Sequence, residues 1–141
     1  MFDGFAISVS GMEAEQRRLR VIASNLANAN STRSAAGETY RRQDVLFAAV
    51  PLERDGSEAL RSSREVRKVA AVGVVEDPRP LKRLYMPSHP DADEKGFVEF
   101  PNVEPFEEVV HMMDAVRCYE ANVMSFNASK EMLKRALEIG R

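Results

Sequence analysis

The sequence predicts an α+β fold: long N- and C-terminal heptad helices packed as an antiparallel, coiled-coil-like pair, with a small, mostly β, loop-rich central domain. Three observations carry that reading. All seven prolines, at 51, 78, 80, 87, 90, 101 and 105, fall in one central stretch, so both ends of the chain are free of that helix breaker. Both proline-free ends repeat apolar residues at alternating steps of three and four. Between them, β-branched and aromatic residues cluster in short runs bounded by turn formers. The expected divisions are 1–30 for the N-terminal helix, 31–105 for the central domain and 106–141 for the C-terminal helix.

In the first helix the apolar stripe runs Phe2, Phe5, Val9, Met12, passes the polar Gln16, and continues Leu19, Ala23, Leu26. A helix of this kind is about 42 Å long at 1.5 Å per residue. Asn28, Asn30, Ser31 and Thr32 supply the chemistry that ends it near residue 30. Two strands are expected over Tyr40 to Val50 and Val66 to Val75, joined by an exposed loop from Glu53 to Arg64. Leu84 and Tyr85 form a short apolar step among prolines, and Gly96-Phe97-Val98-Glu99-Phe100 alternates as a final short strand.

The last helix repeats the pattern as Val109, Met112, Val116, Tyr119, Val123 and Phe126, then, past Lys130, Leu133 and Leu137. Gly140 stands where a C-terminal cap would sit, and Glu107 and Glu108 complement the helix dipole in the first turn. If the central part starts and ends near one place, one helix runs toward it and the other away, which makes the pair antiparallel. These stripes, with Ile22 added, are the candidate assembly interface. Ala29, Met113, Met124 and Met132 also lie outside the strict seams, so a covering partner is expected for them and for Ile22.

Composition removes several classes of function. With 20 basic and 22 acidic residues the net charge is −2, which lacks the positive field that drives nucleic-acid or anionic-lipid binding. No run approaches the roughly 20 apolar residues of a membrane span, and the N-terminus lacks a general secretory signal, so no direct membrane insertion is expected. One cysteine, Cys118, and two histidines, His89 and His111, exclude zinc sites rich in Cys and His. The run His89-Pro90-Asp91-Ala92-Asp93-Glu94-Lys95-Gly96 resembles a calcium loop, but it puts Lys95 at the fifth position and Asn102 at the twelfth. A turn built from Pro, Asp and Gly explains it better. The seven glycines are scattered singly, so no phosphate cradle is visible, and no serine or cysteine stands in a nucleophile context. Neither catalysis nor a cofactor is expected.

The ends carry a resemblance. Ser24-Asn25-Leu26-Ala27-Asn28-Ala29-Asn30, followed by Gly37-Glu38-Thr39-Tyr40-Arg41-Arg42, resembles the N-terminal signature of the bacterial flagellar rod, hook and hook-filament junction proteins. Tyr119-Glu120-Ala121-Asn122, with Lys130-Glu131-Met132-Leu133 downstream, is similar to the matching C-terminal signature. The central run from His89 through Val98, with Pro101-Asn102-Val103, resembles the proximal-rod members of that family. The resemblance implies a structural subunit of the flagellar basal body. It would be exported by the flagellar type III apparatus without a cleaved signal peptide and built into the periplasm-spanning drive shaft that carries torque to the hook. The partners implied are further copies of itself, proximal and distal rod subunits, the basal-body export-gate adaptor protein and the export apparatus. A cytoplasmic helical adaptor or chaperone that binds partner helices would also use heptads without catalytic groups, but it leaves both terminal signatures unexplained.

Overall fold

A computed structural model of the chain describes residues 3–33, 37–52 and 66–140. Helix α1 spans Asp3–Ala27 and helix α2 spans Pro105–Ile139, the two proline-free ends of the sequence. Pro105 sits in the first turn of α2, where its missing N–H would have had no intrahelical partner anyway. Helix α1 stops three residues short of position 30: after the last i→i−4 bond, from the Asn28 N–H to the Ser24 carbonyl at 3.0 Å, the Ala29 N–H reaches back only to Leu26 at 3.3 Å, and the Asn28 side-chain amide shares the Ser24 carbonyl at 2.9 Å. Gly140 ends α2 at a φ of −82°, so it is not the left-handed cap expected of it.

Between the helices lie two antiparallel ribbons. Strand β1 (Gln43–Pro51) pairs with β2 (Arg67–Glu76) from Gln43 opposite Glu76 to Pro51 opposite Arg67. Leu46 faces Gly73 and Phe47 faces Ala71, which leaves Val72 as the extra residue of a bulge. The loop expected over Glu53 to Arg64 lies outside the described residues, as does Phe2. Strand β3 (Lys82–Tyr85) pairs with β4 (Phe97–Phe100). The sequence shows β3 only as the step Leu84-Tyr85, since all four of its residues are exposed and none alternates in polarity.

The turn from β3 to β4 is the Pro, Asp and Gly structure that the sequence predicts. The Asp93 carboxylate accepts the backbone N–H groups of Lys95 and Phe97, both at 2.8 Å. Gly96 has a φ of +82°, and a Cβ there would lie 2.9 Å from the Tyr85 ring, so both backbone and space require glycine.

The helices pack antiparallel through small and polar residues. A Cβ on Gly4 would lie 3.6 Å from Ser129 Oγ, Ser8 Oγ donates to Ser125 Oγ at 3.3 Å, and Gly11 abuts Asn122. Asn25 meets Glu108 at the far end, so each step up α1 is matched by the same step down α2. This line of closest approach lies one residue before the heptad positions in both helices: Ser8 before Val9, Asn25 before Leu26, Glu108 before Val109, Ala115 before Val116. In an antiparallel pair, equal offsets place both stripes on the same side of the pair. The other side of α1 is covered by the β1–β2 ribbon, where Ser10 and Ala14 are buried and Lys68 to Ala71 line the crevice.

Among the described residues no large apolar core results. The largest fully buried side chains are Glu108, Val98, Val103, Asn25 and Pro101, two of them polar. Ile22 and Ala29, for which an outside partner was expected, are buried within the chain itself, whereas Met113, Met124 and Met132 remain exposed.

Candidate functional site

Two features stand out along the helical pair: an uncovered apolar side and a buried polar clasp at one end. On the apolar side Phe5 and Phe126 meet edge to face at 5.0 Å and are half-buried. Around them Met12, Leu19, Leu26, Met112, Val123 and Leu133 are half-buried as well. Val9, Val109, Val116 and Tyr119 are exposed, and Leu137 is 68 % exposed. The structure therefore brings the candidate seam residues together as one side of the pair rather than as the contact between its helices. Ile22 is the exception, being buried in the chain.

The clasp is built on Asn25. Its amide nitrogen donates to the Gln43 carbonyl at 2.8 Å and to Glu108 Oε2 at 2.9 Å, while its oxygen accepts from the Tyr40 hydroxyl and the Gln43 N–H, both at 2.9 Å. The other oxygen of Glu108 accepts from Arg42 Nε at 2.6 Å, and the Arg42 backbone N–H donates to Asn102 Oδ1 at 2.7 Å. Asn102 passes its amide protons to the carbonyls of Asp77 and Arg79 at 3.2 and 2.9 Å. Burial pulls the Arg42 guanidinium down, but its bond and charge contact with Glu108 more than offset this and hold it more firmly protonated than usual. Asp77 is held below the usual carboxylate range, chiefly by the backbone N–H of Arg79. Asn25 and Glu108 are wholly buried, so one satisfied network ties α1, α2 and both ribbons together.

Of the signature residues, Asn25 is the hub of the clasp, Leu26 lies on the apolar side, Asn28 ends α1, and Asn122 faces Gly11 while donating to the Cys118 carbonyl at 2.9 Å. Ala27, Glu120 and Ala121 are exposed. Sequence reasoning missed Glu108, Arg42 and Asn102 as a unit. Glu108 reads as a first-turn acid and Arg42 as part of a solvated basic pair, and only an approach across 66 residues of sequence joins them.

Glu15 is the exception to this economy. It sits on the inner line of α1, its nearest cation is Arg18 at 3.8 Å, and one carboxylate oxygen is buried without a hydrogen bond. Burial pushes its carboxyl above the ordinary glutamate value despite Arg18.

Among the described residues no three His, Cys, Asp or Glu side chains converge as a metal site, and no helix is long and apolar enough to cross a membrane. His89 Nδ1 accepts the Asp91 N–H at 3.1 Å within the turn, and Cys118 is an exposed thiol.

Residues 5–35 match the family model described as flagella basal body rod protein, and residues 94–139 match that of the C-terminal part of the flagellar basal body rod FlgEFG proteins. The flagellar basal-body rod protein FlgC of Aquifex aeolicus is 41 % identical over 138 residues, covering 98 % of this chain and 96 % of its own. FlgC of Bacillus subtilis is 38 % identical over 99 % of this chain and 98 % of its own, and FlgC of Salmonella typhimurium is 37 % identical over 97 % and 96 %.

Proposed function

The chain belongs to the FlgC family of flagellar basal-body rod proteins, a structural subunit that assembles with other rod proteins, and on that premise we propose that the apolar side of its helical pair is the surface by which it enters the rod. The observation that carries this is the offset described above: the heptad residues of both helices share one side of the pair, uncovered by the chain's own ribbons. A face of that extent in contact with water is stabilised by burial against neighbours. Neighbours related by a contact that does not close generate a helical tube.

The small, polar inner line then has a mechanical role. Gly4, Ser8 and Gly11 let the two helices approach closely, and the clasp fixes the ribbons to one end of the pair. A subunit tied at these points moves as a unit, as a shaft that transmits torque requires. The immediate neighbours, in this reading, are further copies, proximal and distal rod subunits and the export-gate adaptor protein, reached through the type III export apparatus. Catalysis has no part in it. No feature of the structure favours the adaptor reading separately.

The test is substitution on the exposed side. Val116→Asp and Tyr119→Asp should each leave the chain folded and exported but abolish swimming and incorporation into basal bodies. Normal incorporation of both variants would refute the assignment.

A further inference from the structure

The β1–β2 ribbon lies over α1 without filling the space between them. A hollow of about 430 Å³ remains, lined on the helix side by Gly11, Ala14 and Glu15 and on the ribbon side by Ala48, Arg67 and Lys68. Glu15 is the group there whose needs are unmet: one carboxylate oxygen is buried without a hydrogen bond, and its ion-pair contact is Arg18 at 3.8 Å. Of the two ribbon cations, Arg67 is already partnered. Lys68 is half-buried and has no acidic partner among the described residues. An unpaired anion and an unpaired cation thus line the same hollow, one on the helix and one on the ribbon.

The ribbon is built so that its two ends are held differently. At Gln43, where β1 begins, the Asn25 side chain binds both backbone groups and fixes the ribbon to α1. Lys68 stands opposite Val50, about 23 Å further along the strand at 3.3 Å per residue. Between these points lies the bulge at Val72, which bends the strand that carries it. Beneath the far part, Gly11 and Ala14 present little side-chain bulk, so the ribbon can move toward α1 without a clash. Leu46, Val72 and Val74 remain exposed on the ribbon.

We propose that the ribbon is a strap, anchored at the clasp and bent at the bulge, that closes on α1 when the subunit enters the rod and brings Lys68 onto Glu15. In the free chain the lysine stays hydrated, since stripping its water costs more than one solvated ion pair returns. Neighbours that cover the exposed ribbon residues supply the missing drive. Closure then replaces an empty space by packed contacts and pairs a carboxylate that is otherwise buried alone. The proposal rests on the rod-subunit reading and adds a change of shape to the packing already described.

The experiment produces the wild-type chain and a variant together in cells. The share of each in purified basal bodies, relative to its share in whole cells, is measured by mass spectrometry. Lys68→Met is expected to lose about tenfold against wild type, because closure then buries Glu15 uncompensated. Adding Glu15→Gln should restore the share to within about twofold. In the purified chain, where the strap is open, thermal unfolding should show independent, additive effects of the two substitutions. An undiminished share for Lys68→Met, no rescue by Glu15→Gln, or coupling already present in the purified chain overturns the proposal and leaves the rod-subunit reading intact. Absence of the wild-type chain from basal bodies would instead overturn that reading.

Discussion

Gly11 of the first helix and Asn122 of the second are in such close contact that a Cβ added to Gly11 would lie 2.6 Å from the Asn122 Oδ1. No methyl group fits there unless the amide swings away from the Cys118 carbonyl it now binds. Gly11 therefore accepts the helix-interior cost of glycine, about 1 kcal/mol relative to alanine, in exchange for close approach.

Gly11→Ala should consequently stabilise the chain by about 1 kcal/mol only when Asn122→Ala has removed the obstacle. Gly11→Leu should lower stability by about 2 kcal/mol through overpacking. Urea unfolding of the single and double variants reads the difference. An equal gain from Gly11→Ala in both backgrounds would show that the contact is not tight.

Asn25→Ala removes a side chain that satisfies Tyr40, Glu108 and both backbone groups of Gln43. The loss should be about 3 kcal/mol, since several buried groups are left without partners. Thermal unfolding checks it, and a change within the range of ordinary surface substitutions would remove Asn25 from the hub.

Arg42 and Glu108 are a buried pair, with side chains 10 % and 0 % exposed. Arg42→Met alone should cost about 3–5 kcal/mol, because an uncompensated carboxylate stays buried. Adding Glu108→Leu should recover most of that loss. Failure of the double variant to recover would mean that each side chain acts through separate contacts.

The acid response has two opposing parts. The lowered carboxyls of Asp77 and Asp93 contribute stability above the ordinary aspartate range that is lost as pH falls through it toward their folded values. The raised carboxyl of Glu15 does the opposite: it penalises the fold at neutral pH and is relieved as pH falls through its folded value. Glu15→Gln should raise the Tm at neutral pH, with the gain gone below the ordinary glutamate pKa, while Asp93→Asn should flatten the loss in acid. A Glu15→Gln gain that is the same at every pH would contradict the desolvation argument.

The architecture was legible in the sequence where period and punctuation are local. Proline placement and the three-four spacing give both helices, and the alternating run gives β4. Strand β3 was not legible, because four exposed residues carry no burial pattern. The heptads of Val9 and Val116 were read correctly as apolar stripes, yet period alone cannot tell whether a stripe faces its own partner helix or a neighbouring subunit. Small residues show only that the stripe does not face its own partner helix: Gly4, Ser8 and Gly11 mark the inner line, and a hydrophobicity pattern passes over them. The clasp was illegible for a different reason, since Arg42 and Glu108 acquire their meaning only when the fold brings them together.

The most direct test of the account compares thiol labelling at two positions of α2 in a Cys118→Ser background. Val116→Cys lies on the apolar side and Ala121→Cys on another face of the same helix, both exposed in the chain. Rapid labelling of both is expected in the purified chain, with selective protection of Val116→Cys in intact basal bodies. Equal labelling of Val116→Cys in the free chain and in basal bodies would contradict it.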